Sequence, residues 1–236
     1  MQGQIQELLA PPYPCSYLPG QTTQVVYTAR TPTQAETAQL LGLGWVYSAA
    51  DAAATSTRCM ACNACWRIRA KAREYDPNRS QLRAQRANQE TRLVIGKPIL
   101  DDARVDLYRR HHLARQEQKG WKPSAGNGQD YIRKVASSPV PILEFAFYRD
   151  DKLVAVSYIT DLAHALFGSY YFYDPDYKHL SLGTWMVMSL IFEAAARGFE
   201  YAYLGTFVAG CGSLEYKSAF SPNQVRKPLG EWEDFK

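Results

Sequence analysis

Residues 58–69 organise the chain and read Arg58-Cys59-Met60-Ala61-Cys62-Asn63-Ala64-Cys65-Trp66-Arg67-Ile68-Arg69. Three of the five cysteines lie here at C-x2-C-x2-C spacing. Thiolates at this spacing can converge on one soft metal centre, because a short turn brings their sulfurs to the same side. A tetrahedral site needs a fourth ligand, and Cys15, in the proline-bounded segment Tyr13–Gly20, is the leading candidate. The alternative is that the four thiols are reduced and bind no metal.

Length and composition are those of a folded protein. The 236 residues, 46% hydrophobic and 13% aromatic, allow one large domain or two small ones. No apolar run reaches the roughly 20 residues that a membrane helix needs. The opening Met1-Gln2-Gly3-Gln4 shows no basic segment leading into an apolar one, so no secretory signal is expected. A cytoplasmic location is therefore predicted, where cysteines are more often ligands or catalysts than disulfides.

The net charge of +4 is unevenly distributed along the chain. From Arg58 to Arg92 there are nine basic and three acidic residues. Basic and apolar residues alternate over residues 66–73, a period that predicts a strand with one basic face. The next basic residues, Arg79, Arg83 and Arg86, are spaced to line one stripe of a helix. Such a surface suits a polyanion. The alternative is a solvated helix face.

The second half of the sequence predicts a sheet with helices against it. Two β-rich runs, 142–148 and 153–159, are joined by a charged hairpin turn, and a third strand follows at 168–173. An apolar helix starts near Ser181 and precedes a strand over 201–207. The fold class is predicted as α+β, with a cysteine-bearing N-terminal domain over 1–95 and an antiparallel sheet with flanking helices over 96–236. This order of elements is also that of the N-acetyltransferase fold.

The similarity to the N-acetyltransferase fold allows a prediction about the acyl donor. Coenzyme A acetyltransferases hold the pyrophosphate on backbone N–H groups of a glycine-rich loop before the central helix. Here the corresponding residues are Lys178-His179-Leu180-Ser181-Leu182-Gly183, which keep only the last glycine. The phosphate-binding loop is degraded, so no coenzyme A is expected. The glycine-rich segment over 122–129 is predicted to be a loop that acts as a lid.

An ordered series of short motifs resembles the arginyl-tRNA–protein transferase family, most closely its bacterial aspartate/glutamate leucyltransferase branch. No single motif is specific, but the ordered set runs from Pro14 to about Trp232. The matching segments are Pro14–Gly20, the three cysteines with Arg67 and Arg69, Asp76–Gln81 with Arg86 and Asn88, Tyr173–Asp176, Ser181–Gly183, Tyr203–Gly205, Gly210-Cys211 and Tyr216-Lys217. Two departures are Thr206-Phe207 after Gly205, where the family often has aromatic residues, and Ser213–Glu215 before Tyr216, where a Lys-Met pair is usual.

The resemblance implies transfer of an amino acid from an aminoacyl-tRNA to the N-terminal α-amine of a protein that begins with Asp or Glu, which marks the product for degradation. It also implies an acyltransferase-like C-terminal domain. In some eukaryotic relatives an iron–sulfur cluster is associated with the equivalent cysteines. For Cys15, Cys59, Cys62 and Cys65 an iron–sulfur cluster, zinc or an empty site all stay open. A monomer is expected.

The residues themselves suggest roles in such a reaction. A carboxylate on the acceptor favours arginine as its partner, and the candidates Arg67, Arg69, Arg79 and Arg86 can equally contact tRNA phosphates. At strand ends, Asp161 and Asp174 could hold the incoming ammonium or accept its proton, unless they are turn or cap residues. Tyr216 and Lys217 could stabilise developing negative charge or bind the tRNA 3′ end, unless they are a core tyrosine and a surface lysine.

Four further residues are assigned to substrate or tRNA binding. Ser181, Gly183 and Gly205 belong to the matching motifs, and Cys211 lies between two glycines, which suggests close approach of the backbone to a ligand. A buried, inert thiol at Cys211 fits equally well.

Three functions compete on the sequence alone. The first is leucyl transfer from Leu-tRNA, with arginyl transfer from Arg-tRNA by the same mechanism as its variant. The second is a metal-dependent nucleic-acid-binding module without transferase activity. The third is a coenzyme A acyltransferase, which the degraded phosphate loop disfavours.

Overall fold

The computed structural model describes residues 5–120 and 127–236, and the chain there forms an α+β fold. The strands of the N-terminal part are β1 (Glu7–Leu9), β2 (Tyr13–Pro14), β3 (Thr22–Thr23), β4 (Val25–Thr28), β5 (Val46–Ser48), β6 (Ala53–Thr57), β7 (Cys65–Lys71) and β8 (Arg92–Gly96). Those that follow are β9 (Ile142–Arg149), β10 (Lys152–Asp161), β11 (Leu166–Tyr173), β12 (Tyr201–Val208), β13 (Asn223–Arg226) and β14 (Trp232–Asp234). The α-helices are α1 (Gln34–Gly42), α2 (Arg79–Ala87), α3 (Asp102–Lys119), α4 (Gly128–Ala136), α5 (Leu182–Ala196) and α6 (Gly212–Glu215).

A large sheet forms the centre of the molecule, with strand order β14-β13-β7-β12-β11-β10-β9-β8. Neighbouring strands of this sheet are antiparallel, except for β11 and β12, which run parallel. The predicted antiparallel sheet is confirmed as a mostly antiparallel one, with this single parallel pair. The physical reason is α5, which crosses from the end of β11 back to the start of β12 and so sets both strands in the same direction.

The basic stretch of the sequence lies inside this sheet. β7 pairs with β12 on one side and with β13 on the other, both antiparallel. The predicted strand with one basic face is confirmed as far as Lys71, and Arg73 falls in the 3-10 turn Ala72–Glu74. The large sheet thus takes strands from both sides of the boundary predicted at 95/96, and the division into two domains stays a prediction.

Both faces of the sheet are covered by helices. On one face, α5 buries Ile68, Met188 and Leu190 in a core that also receives residues of β9, β10 and β12. On the other face, α1, α3 and α4 enclose Leu107, Ile132 and their neighbours. Because β10 lies between these two layers, nearly all of its residues are buried. The confirmed fold class is α+β with flanking helices.

A small sheet with order β1-β4-β6-β5 packs at the N-terminal side. It has its own core of Val26, Trp45 and Ala54. Between β4 and β5, α1 begins at a capping box. The Thr33 side chain accepts a hydrogen bond from the Glu36 backbone N–H, and the Glu36 side chain accepts one from the Thr33 backbone N–H. The hairpin β2–β3 carries Cys15 on the loop between its strands.

Two sequence predictions fall partly outside the described ranges. Residues 1–4, on which the expectation about a secretory signal rests, are one case. The predicted loop and lid over 122–129 is the other, since 122–126 lie outside and 128–129 already belong to α4. The predicted end of α3 is confirmed, because Gly120 has a left-handed φ of 64° there and caps the helix.

A buried ion pair fixes α3 on the sheet. Arg104 Nε donates to both Glu144 carboxylate oxygens at 2.9 Å, and each residue is only 3% exposed. We expect Arg104→Met to lower the free energy of unfolding by about 3–5 kcal/mol, because it leaves the Glu144 carboxylate buried without its cation. Urea unfolding measures this loss.

The matched control on the same helix is Arg109→Met. Arg109 pairs with Asp106 where both side chains are more than half exposed, 61% and 51%. Its loss should cost less than about 1 kcal/mol. Equal destabilisation by the two variants would contradict a special role for the buried pair.

Candidate functional site

A cavity of about 260 Å³ opens between the N-terminal segment and the large sheet. The N-terminal segment contributes hydroxyls, a thiol and aromatic rings to its wall, while β7 and β12 contribute one residue each. The lining residues are Tyr13, Cys15, Ser16, Tyr17, Thr23, Val25, Val46, Thr55, Ser56, Thr57, Arg67 and Thr206. The cavity therefore lies between the loop that carries Cys15 and the large sheet. None of these residues is acidic, and Arg67 is the cation among them.

Arg67 is a buried guanidinium, with the residue 7% exposed. Its Nε donates to the Gly44 carbonyl at 2.7 Å, and its Nη1 donates to Thr206 Oγ1 at 2.6 Å. No carboxylate of residues 5–120 and 127–236 lies within ion-pair distance of it. Burial lowers the pKa of Arg67, but a guanidinium keeps its proton in proteins. The cavity wall thus holds a positive charge with no protein counter-ion.

Lys217 brings a second cation to the same point from the other end of the sequence. Its Nζ donates to the Thr206 carbonyl at 3.0 Å. Gly205 adopts a φ of 88°, and a Cβ placed there would lie 3.6 Å from Nζ. Burial, helped by the charge of Arg67 and opposed by Cys211, lowers the pKa of Lys217 to about 8. Lys217 is therefore not the solvated surface lysine of the alternative reading.

Of the four predicted metal ligands, Cys15 lines the cavity and Cys59 contacts Thr23, which also lines it. Cys59 Sγ lies 3.4 Å from Thr23 Oγ1, and Cys15 Sγ accepts a hydrogen bond from the Tyr17 backbone at 3.4 Å. Burial raises the pKa of Cys65 to about 11; the charge of Arg67 opposes this rise, and Cys59, Cys15 and Cys62 add to it.

These thiols do not form a coordination shell as they are placed. In the described parts of the chain, no group of three or more His, Cys, Asp or Glu side chains is arranged to hold a metal ion. The donor type suits zinc or an iron–sulfur cluster, but the arrangement does not fit one. The predicted metal stays a prediction, and no step of the reaction proposed for this chain uses it.

The structure separates the four predicted arginines. Arg69 does not line the cavity and shares none of the contacts of Arg67. It donates to Gln224 Oε1, and its guanidinium stacks 3.5 Å from the Tyr201 ring and 4.2 Å from the Trp232 ring. Such stacking makes it a structural residue of the sheet edge. Arg79 and Arg86 are exposed on α2, as the helical spacing predicts, with Arg83 between them.

Both predicted aspartates are held by cations. Asp174 is fully buried and accepts from both terminal nitrogens of Arg110 at 2.7 Å, while Lys152 Nζ lies 3.0 Å away. Although burial raises the pKa of Asp174, the hydrogen bonds from Arg110 and Lys152 outweigh it, and the net pKa is lowered. Asp161 pairs with Arg197 at 2.9 Å. Neither aspartate lines the cavity, and their catalytic roles stay predictions.

The other predicted residues spread over two places. Gly205 lies beside Lys217, and Cys211 Sγ lies 3.2 Å from Ser213 Oγ at the start of α6. Tyr216 is 39% exposed and packs edge-on against the Phe220 ring.

Ser181 and Gly183 lie together at the start of α5, where Ser181 has a left-handed φ of 52°. A Cβ on Gly183 would meet the ring of Tyr173 at 3.5 Å. The two residues do not line the cavity.

Sequence reasoning missed Thr206 as a site residue. It appeared only as a departure from an aromatic pattern, yet its hydroxyl and its carbonyl bind the two cations. The available signal was its position next to a glycine at a register shift of β12, between Tyr203 and Gly205.

Comparisons with known proteins agree with the motif series. Residues 13–83 match the family model described as "Arginine-tRNA-protein transferase, N terminus", and residues 103–227 match "Arginine-tRNA-protein transferase, C terminus". The aspartate/glutamate leucyltransferase of Nitrosococcus oceani is 34% identical over 92% of this chain and 91% of its own. That of Campylobacter jejuni is 34% identical over 73% of each chain.

One solved structure shows a weaker likeness. The C-terminal domain of a putative lysylphosphatidylglycerol synthetase from Agrobacterium fabrum superposes with a TM-score of 0.49 at 12% identity, over 73% of this chain and 58% of that one. A likeness of this size carries no argument.

The lowered pKa of Lys217 predicts a pH-dependent stability. The pKa of Lys217 is about 8 in the folded state, below the ordinary 10.5. Below about pH 8 the ammonium is charged in both states, and its burial lowers the free energy of unfolding by the full amount. Between these values the folded state loses the proton first, and the wild type gains stability as pH rises. Lys217→Met should therefore be more stable than wild type at about pH 7, by roughly 1–3 kcal/mol, with the difference shrinking toward pH 10.

Urea unfolding at a series of pH values measures this difference. The control is Lys134→Met, at an exposed lysine of α4, which should leave the pH dependence unchanged. Identical pH dependence of wild type and Lys217→Met would show that the Lys217 ammonium is solvated.

Proposed function

This chain belongs to the arginine-tRNA-protein transferase family, and on that premise we propose that it transfers leucine from Leu-tRNA to the N-terminal α-amine of proteins that begin with Asp or Glu. Both family models and relatives over most of the chain support an aminoacyl-tRNA–protein transferase. The acceptor residues are those for which these relatives, the aspartate/glutamate leucyltransferases, are named.

The observation that carries the proposal is the uncompensated charge in the cavity. Arg67 is buried there without a carboxylate partner, and the lining residues include no acid. A buried charge is stable only when it is paired, so the wall is complementary to an anion. The side-chain carboxylate of an acceptor's first residue is such an anion. Its α-amine, about three bonds from the carboxylate carbon in Asp and four in Glu, then lies in the cavity beside the wall.

The same charge favours leucine over arginine as the amino acid transferred. A pocket for an arginyl side chain would need a carboxylate, and the cavity wall has none. Arg67 would also repel a second guanidinium. Tyr13, Tyr17 and Val46, in contrast, offer apolar surface to a leucyl side chain. Arginyl transfer is thus the less favoured variant.

The chemistry needs little beyond positioning. The acceptor's amine nitrogen attacks the carbonyl carbon of the aminoacyl ester, the new amide bond forms as the ester C–O bond breaks, and the amine's proton ends on the released ribose hydroxyl. An α-amine has a pKa of about 7.7–8.0, so a useful fraction is already neutral. Holding the two groups together can supply roughly 7–11 kcal/mol of the barrier. No general base from Asp161 or Asp174 is required.

The stripe of Arg79, Arg83 and Arg86 on α2 suits the phosphates of the tRNA. In the described chain these side chains are exposed and make no ion pair, so they are available to a polyanion. α2 packs on α5, which covers the face of the sheet that buries Ile68. Arg67, the next residue to Ile68 on β7, points to the opposite face. The stripe would therefore contact the body of the tRNA, and the cavity would receive its 3′ end.

We further propose that the enzyme is a monomer and works in the cytoplasm, because aminoacylated tRNA is available there. Within residues 5–120 and 127–236, no helix combines the length and apolar character needed to cross a membrane.

A transfer assay tests the proposal. The purified chain is incubated with tRNA carrying radiolabelled leucine or arginine and with peptides that begin with Asp, Glu or Ala. We expect leucine label on the Asp and Glu peptides, at least about tenfold over the Ala peptide, because only the acidic side chains satisfy the buried cation.

Other outcomes of this assay are equally specific. Arginine label on the acidic peptides would support the arginyl variant. Binding of tRNA without transfer would support a nucleic-acid-binding module instead, and acetyl transfer from coenzyme A would support the third function.

A second prediction concerns α2. The triple variant Arg79→Gln, Arg83→Gln and Arg86→Gln should bind tRNA at least about tenfold more weakly, and the slope of log affinity against log salt should flatten by about two to three. The matched control is Arg109→Gln with Arg133→Gln, two exposed arginines paired locally with Asp106 and Asp130. An unchanged salt slope in the triple variant would rule the stripe out as a phosphate contact.

A further inference from the structure

Thr206 joins two cations that lie far apart in the sequence. Its side-chain hydroxyl accepts from Arg67 Nη1 at 2.6 Å, and its backbone carbonyl accepts from Lys217 Nζ at 3.0 Å. Arg67 comes from β7, and Lys217 from the 3-10 turn Tyr216–Ala219 that follows α6. Within the described ranges neither cation makes an ion pair with a carboxylate. Two partly desolvated positive charges meet at Thr206 without a counter-ion among the described residues. This arrangement costs free energy unless a bound ligand supplies a negative charge.

We propose that Arg67 and Lys217 together bind the side-chain carboxylate of the acceptor's first residue, and that Thr206 positions both cations for it. This inference rests on the function proposed above and identifies the residues that set its acceptor specificity. Arg67 is the fixed cation, because two hydrogen bonds hold its planar group at the wall. Lys217 is the movable one, because a lysine stem lets Nζ exchange the Thr206 carbonyl for a carboxylate oxygen.

The geometry around Lys217 fits this division. Lys217 does not line the cavity itself, and its ammonium lies on the carbonyl of the residue that does. Gly205, next to Thr206, leaves room beside Nζ, where a Cβ would stand at 3.6 Å. Its φ of 88° favours glycine, so a residue with a side chain would be strained there.

The anion at this site could also be a phosphate of the tRNA 3′ end, because both ligands are oxyanions. The small volume of the cavity, about 260 Å³, and its hydroxyl and aromatic walls favour the smaller carboxylate. Exposed arginines on α2 offer phosphates a solvated surface instead. The experiment distinguishes the two sources by measuring peptide selectivity and tRNA affinity separately.

The test compares peptides that differ only in charge at the first residue, Asp against Asn and Glu against Gln. Two quantities are measured for each: kcat/KM for transfer at saturating Leu-tRNA, and peptide affinity by calorimetry without tRNA. The variants are Lys217→Met, Lys217→Arg and Thr206→Val, with Lys134→Met as the control at an exposed lysine. Affinity for tRNA is measured in parallel.

We expect wild type and Lys134→Met to prefer Asp over Asn by about 10- to 100-fold, the range for a hydrogen-bonded charge. Lys217→Met should reduce that preference at least tenfold while tRNA affinity stays the same. Lys217→Arg should retain most of it, since the charge remains. Thr206→Val should lower the preference less than Lys217→Met, because it disturbs the position of the cations without removing either.

Several results would overturn the inference. Equal slowing of all peptides by Lys217→Met would make Lys217 a general catalytic or structural residue. Loss of tRNA affinity with peptide preference intact would identify the anion as phosphate. No preference for Asp in wild-type calorimetry would also refute it. If the wild type prefers Asp in calorimetry but transfers no leucine, the proposed function fails and the carboxylate site stands.

Discussion

The arrangement of the site depends on a buried guanidinium that has no acid to pair with among residues 5–120 and 127–236. Arg67 lies inside the protein, bound to the Gly44 carbonyl after α1 and to the Thr206 hydroxyl on β12. Burying such a charge is costly, and the two neutral acceptors compensate only in part. The bond to Gly44 joins the N-terminal segment to the large sheet, and the bond to Thr206 joins β7 to β12 within that sheet, so the cavity lies where that charge is held. A cavity wall that carries this unpaired positive charge is suited to bind an anion.

β7 gives this site its rigidity. Successive residues of a strand point to opposite faces, so Ile68 and Ala70 pack into the core under α5 while Arg67 points to the cavity. The strand is hydrogen-bonded on both sides, to β12 and β13. A functional cation on such a strand moves little, which suits a reaction that depends on positioning.

Local patterns in the sequence predicted the local structure well. The alternation of basic and apolar residues predicted β7, and the charged turn between β9 and β10 is the expected hairpin. The ordered motifs pointed to the correct family before any coordinates, because a family is defined by such residues in sequence order.

Non-local relations were beyond sequence reasoning. Nothing local shows that β7 pairs with β12, or that Lys217 reaches the Thr206 carbonyl beside Arg67. The predicted aspartates illustrate the same limit: Asp174 reads as a free strand-end acid, but Arg110, from another element, occupies both of its oxygens. Partners that arrive from distant elements decide which polar residues are free for chemistry.

The most direct measurement of the central claim is a crystal structure of the chain with a peptide that begins with Asp. The account predicts the aspartyl carboxylate inside the cavity, within hydrogen-bond distance of the Arg67 guanidinium, and the peptide's α-amine directed to the open side. A carboxylate bound elsewhere, with the Arg67 guanidinium still satisfied only by Gly44 and Thr206, would contradict it.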